Sequence, residues 1–165
     1  MSICRVGVTG HRTFHDLAGT QLLVDSAIAE AIAGCERVDF WTSLAEGADR
    51  LVAERVAAAH PDTRLHVVLP VHADDYCNDF VSAASVATFH RLLATAETVS
   101  VVGPDAGGTR ESAYERAGLA VVGAVDTLIV LWDGKPARGR GGTAQMVEHA
   151  QALGRTVITV QVTRS

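Results

Sequence analysis

Short apolar runs alternate with stretches of helix-spaced apolar positions from one end of the chain to the other. The runs at 3–9, 37–42, 64–69, 97–102, 125–132 and 156–162 predict strands. Between the first two, Val24, Ile28, Ala31 and Ile32 give Leu17–Ala33 one apolar helical face, and Gly34 stops it. Leu51, Val52, Arg55, Val56 and Ala59 make the face of a second helix. Ala83–Ala94, Glu111–Val122 and Ala144–Leu153 continue the alternation, the last ending at Gly154. Strands alternating with helices mark βα units, so the chain predicts an α/β fold. Its core is a doubly wound, mainly parallel sheet of about six strands with helices on both faces. Ligands of such sheets sit beyond the carboxyl ends of the strands, where the strand order reverses. The segments that follow the strands are therefore the place to look for chemistry.

At 165 residues and 48% hydrophobic, the chain fits one domain spanning 1–165. No apolar run approaches the roughly 20 residues needed to cross a bilayer, and MSICRVGVTG lacks the basic start of a signal peptide. A cytoplasmic protein with no membrane partner is expected. Cys4, Cys35 and Cys77 are odd in number, widely spaced and without a CxxC, so they are read as core thiols rather than as a disulfide framework or zinc site. A net charge of −5 and 5% aromatic residues make nucleic acid an unfavoured partner.

The most informative stretch is VDTLIVLWDGKPARGRGGT, Val125–Thr143. An unbroken apolar run reads as a strand buried on both faces. It ends at Asp133-Gly134, and after a loop containing Lys135, Arg138 and Arg140, Gly141-Gly142-Thr143 opens a helix. Backbone N–H groups at such a helix start, with the Thr143 hydroxyl and a nearby arginine, can cradle a phosphate. The loop is neither a Walker A motif nor a GxGxxG fingerprint. GGT also occurs at Gly107–Thr109, as repeated turn chemistry rather than duplication.

Other loops offer complementary groups. Gly10 permits a tight turn after the first strand, and His11 and Arg12 can present donors to an anion. His11 and His15 share the spacing of a metal pair but have no third ligand, so no metal is expected. After the second strand, Glu46 and Asp49 can either stabilise a helix N-terminus or accept hydrogen bonds from ribose hydroxyls, and Gly47 would allow close approach of a ligand. After the third, Leu69–Phe80 is a polar loop of lid length, whose acids read as solvated. Tyr114 can stack on a base and Arg116 can pair with phosphate, or both can lie on a solvent face.

In their order and spacing, VTGHRTF, the GAD triplet at Gly47–Asp49, Leu69-Pro70 and YERAG…VDTLIVLWDG…GGTA resemble the SLOG superfamily of Rossmann-like proteins, over Val6 to about Val160. That group includes YspA-like proteins, DNA-processing Smf proteins and LONELY GUY phosphoribohydrolases, also described as possible lysine decarboxylases. The resemblance implies a nucleotide or nucleotide-derived phosphorylated ligand, no further cofactor, and a homodimer or higher homo-oligomer. In the LONELY GUY branch an arginine and a glutamate release the base. Arg116 matches the first, but Met146 stands where PGGxGTxxE has its glutamate, and Glu148 is turned about 200° away on the helix. Glu46 or Asp49 would have to supply the carboxylate. Binding or sensing of a nucleotide is therefore the leading expectation. N-glycosidic hydrolysis with Arg116 and Glu46 is the enzymatic alternative, and single-stranded DNA binding as in Smf proteins is the third.

Overall fold

The order of the strands decides where a ligand can sit. A computed structural model describes residues 1–136 and 141–164. Its strands are β1 (Ile3–Gly10), β2 (Arg37–Thr42), β3 (Arg64–Leu69), β4 (Thr98–Val101), β5 (Thr127–Trp132) and β6 (Thr156–Gln161). They form one sheet in the order β4-β3-β2-β1-β5-β6, with all five pairings parallel. The helices are α1 (Leu17–Ile32), α2 (Ala48–Ala59), α3 (Ala73–Tyr76), α4 (Ala83–Leu93), α5 (Arg110–Ala124) and α6 (Thr143–Ala152). The chain is a Rossmann-like, doubly wound α/β protein. Winding runs outward from β1 to β4 and then crosses back to β5, on the other side of β1. The switch point lies between β1 and β5.

Two apolar layers hold the helices to the sheet. On one face Val24 and Ile28 of α1, Val52 and Val56 of α2, and Phe89 and Leu92 of α4 pack against Val6, Val8, Phe40 and Ile129. On the other, Ala117, Val121 and Val122 of α5 and Met146, Val147 and Ala150 of α6 cover Leu128 and Val130. Leu128 to Leu131 are fully buried, as the unbroken apolar run of β5 requires. Close helix approach depends on small residues: a Cβ on Gly118 of α5 would meet the Met146 sulfur at 2.8 Å. Among the described residues, no helix is long and apolar enough to cross a membrane.

The expected elements recur within a residue or two at most ends, with one addition and one correction. The polar segment after β3 is not a plain loop: it forms α3 and a 3₁₀ turn, Cys77–Asp79, because Tyr76 is buried there and anchors it. Cys4 and Cys35, read above as core thiols, are joined in a disulfide with their Cα atoms 5.9 Å apart. The Ser2 carbonyl accepts from the amides of Glu36 and Arg37, bringing the start of β1 against the turn before β2. That pairing comes from the parallel β1–β2 register, which cysteine spacing does not reveal. Cys77 is the free cysteine.

Candidate functional site

Beyond the carboxyl end of β1, bordered by Ser43 and Ala45 after β2 and Pro70 after β3, lies a cleft of about 110 Å³. Val8, Thr9 and Gly10 of β1 form its floor, and Ala117, Val121 and Met146 give it an apolar wall. Arg12, Ser43, Asp49, Tyr76 and Tyr114 supply its polar and aromatic lining. A second recess of about 220 Å³ shares Thr9, Gly10, Arg12 and Gly141 with the first and continues to Thr13, Gly142, Thr143 and Arg164. The two form one elongated site at the switch point.

Gly10 has no room for a side chain: its Cβ would meet the Ala48 Cβ at 2.6 Å and the Leu131 carbonyl oxygen at 2.7 Å. The chain can therefore turn tightly out of β1 between α2 and β5. His11, next in sequence, is buried and borders the recess. Its Nε2 accepts from the Asp133 amide at 3.1 Å, tying the loop after β1 to the loop after β5. Asp133 in turn accepts from the Lys135 amide, and that bond, with the His11 contact, holds its carboxyl below the usual range. Asp133 and Gly134 thus build the turn after β5 and line neither part of the site.

Arg12 is exposed, lies over the Tyr114 ring at 5.1 Å, and reaches into both parts of the site. Arg164, which sequence reasoning did not single out, approaches the same recess because β-bridge pairing with Phe14 places the chain's end beside the loop after β1. Between the two arginines stands the N-terminus of α6. Gly142 is its cap residue and offers no side chain, so among the described residues no cap side chain occupies the first-turn amides starting at Thr143. The Gly141 amide is different: it donates to Gln145 Oε1 at 2.7 Å, and Gln145 is held by Glu115. Gly141, with φ of +74°, shapes the turn rather than offering its N–H. Arg138 and Arg140 lie outside the described residues.

Asp49, at the start of α2, faces the cleft but is almost fully buried. Its carboxylate accepts from the amides of Ala45 and Ser43 and from the Thr42 hydroxyl. Burial outweighs these bonds and the nearby Arg12 charge, pushing its pKa up to about 6. Gly47 packs against the loop after β1. It adopts a φ of +80°, and the space a side chain would need is filled by the backbone of Arg12.

Two proposed catalytic residues turn elsewhere. Glu46 accepts from the Val81 amide and the Ser85 hydroxyl, across the loop before α4. Arg116 donates through Nη1 to the carbonyls of Val102, Gly103 and Pro104, each at 2.9 Å, and so closes the end of β4. Neither lines the cleft.

Tyr114 does line it. Its hydroxyl donates to Asp79, whose carboxylate also pairs with Arg110 at 2.8 Å, while Arg110 reaches Asp75 at 2.9 Å. This clasp joins the α3 segment to the start of α5 beside the cleft. Tyr76, also missed from the sequence, sits beneath it. An aromatic pair, Tyr76 and Phe80, in an acidic loop following a strand was the available signal. Among the described residues, no group of three or more His, Cys, Asp or Glu side chains is placed to hold a metal ion. No family model matches the chain, and no curated protein matches it in sequence. The functional reading rests on the fold and this geometry.

Proposed function

We propose that the protein binds a nucleotide or nucleotide-derived phosphorylated ligand beyond the carboxyl ends of the sheet strands, as a binder or sensor of the SLOG type. The observation that carries this reading is the uncapped N-terminus of α6 set between Arg12 and Arg164 in one recess. Backbone donors at a helix N-terminus, its dipole and two arginines line one recess, an arrangement suited to phosphate. The adjoining cleft, with an apolar wall of Ala117, Val121 and Met146 and the polar groups of Arg12, Ser43, Asp49, Tyr76 and Tyr114, offers partners for the remainder of the ligand.

Hydrolysis of the N-glycosidic bond is less well supported, because Arg116 and Glu46 are committed to other elements. Binding of single-stranded DNA gains no support from a chain of net charge −5.

The test is a thermal-shift series with AMP, ADP, NAD and ADP-ribose, on the wild type and on Gly142→Asp. Gly142 has ordinary extended backbone angles, so an aspartate there caps α6 and occupies the amides that phosphate would use. A ligand bound only by the folded state raises Tm by mass action. A selective rise in the wild type that disappears in the well-folded variant supports the proposal. No rise at millimolar ligand refutes it for this panel.

A further inference from the structure

Tyr76 lines the cleft, is 1% exposed, and has a hydroxyl without a hydrogen-bond partner among the described residues. A buried unpaired hydroxyl is costly and calls for a reason. Its surroundings supply one. The ring is fixed from three sides, by Phe80 at 4.9 Å, Phe89 at 5.5 Å and Tyr114 at 5.8 Å between centroids. Its hydroxyl lies within electrostatic reach of Asp49 and Arg12, both of which line the same cleft. Asp49 in turn uses three acceptor positions on Ala45, Ser43 and Thr42. An ionised carboxylate offers about four, so one remains.

We infer that Tyr76 and Asp49 together read a ribose hydroxyl, making the site selective for ribonucleotides over deoxyribonucleotides. Tyr76 donates to the sugar oxygen, and that hydroxyl or its neighbour donates to the open position on Asp49. The inference rests on the nucleotide reading above. The phosphate recess and the cleft share Thr9, Gly10, Arg12 and Gly141, so a sugar attached to a phosphate at α6 enters the cleft directly. The rigid aromatic setting matters because a hydroxyl held in place discriminates better than one that must be ordered on binding.

The experiment measures the affinity of AMP, 2′-deoxy-AMP, 3′-deoxy-AMP and ribose 5-phosphate by calorimetry, for the wild type and Tyr76→Phe. A site built around a hydroxyl rejects the analogue lacking it, so at least one deoxy analogue is expected to bind the wild type about tenfold or more weakly than AMP. Tyr76→Phe should weaken AMP by a similar factor, leave that analogue unchanged, and so level the two. Its Tm should equal or exceed that of the wild type, since an unpaired buried hydroxyl is being removed. Equal wild-type binding of AMP and both analogues, or a preference that survives in Tyr76→Phe, overturns the inference while leaving the nucleotide reading intact. If none of the four probes binds the wild type, both fall together.

Discussion

The backbone of Arg12 lies where a side chain on Gly47 would have to be: a Cβ there would sit 2.2 Å from the Arg12 carbonyl oxygen. The loops after β1 and β2 are therefore in direct contact, with the Ala48 amide bonded to the His11 carbonyl at 3.1 Å. Gly47→Ala must either push Arg12 away or unwind the start of α2. The backbone angles alone, with φ at +80°, cost about 1–3 kcal/mol for a non-glycine residue. A Tm lower by several degrees and weaker AMP binding are expected from differential scanning fluorimetry. Gly34→Ala, at φ +73° with nothing within 4 Å, is the control: it should lower Tm and leave affinity unchanged.

Arg12 and Arg164 flank the α6 N-terminus, whereas Arg116 is spent on three carbonyls at the end of β4. Replacing either of the first two by alanine should weaken AMP roughly tenfold to a hundredfold, the scale of a hydrogen bond to a charged group. Arg116→Ala should lower stability and leave affinity within about twofold, since it removes no ligand contact of this scale. Titration at one fixed ionic strength separates these outcomes. Equal losses in all three variants would count against the placement of phosphate at α6.

Asp49 gives the protein a characteristic pH response. Its carboxyl titrates near 3.8 when unfolded and at about 6 in the fold, because burial disfavours the charge. The native state therefore holds a proton that the unfolded chain has released. The stabilisation is complete below pH 3.8 and is lost as pH rises through about 6. A gap of about two pKa units corresponds to about 3 kcal/mol. Urea melts of the wild type and Asp49→Asn between pH 4 and 7 should show their stability difference changing by this order, against the wild type at the upper end. A pH-independent difference would show that Asp49 does not titrate in this range.

The Cys4–Cys35 bridge closes a loop with a sequence separation of 31. Thiol titration of the denatured, unreduced protein should count one cysteine, Cys77, rather than three. Reduction should remove on the order of 3–4 kcal/mol by the loop-entropy model, read as a lower urea midpoint. Three free thiols in the unreduced protein would contradict the pairing.

How much of this was legible beforehand depended on whether a residue's role was local. β5 could be read from its composition because burial on both faces leaves no polar position in Leu128–Leu131. β4 was drawn too long, at 97–102, because all four residues of Thr98–Val101 are exposed and give the edge strand no sharp apolar boundary. Gly10 and Arg12 could be placed at the site because they follow β1 directly. The contacts of Glu46 and Arg116 were not legible for the opposite reason: their partners, Ser85 and the carbonyls after β4, belong to distant segments. Tyr76 was hidden among acids whose sequence reads as solvated loop, and Arg164 becomes relevant only when the chain's end pairs with Phe14.

The strand order also dictates when the site can exist during synthesis. β1 to β4 pair successively and can assemble as the chain emerges, but Val6 finds its partner Thr127 only after both have been made. Such distant pairing must meet the loop-closure cost before it gains contact energy, so it tends to form late. Until then the nascent chain has β1 exposed along one side, an unpaired edge prone to association. The half-site carried by Gly10 and Arg12 waits for α6 and Arg164 from the final third of the chain. A ribosome-bound intermediate stalled before β5 should therefore be sticky and unable to retain a nucleotide.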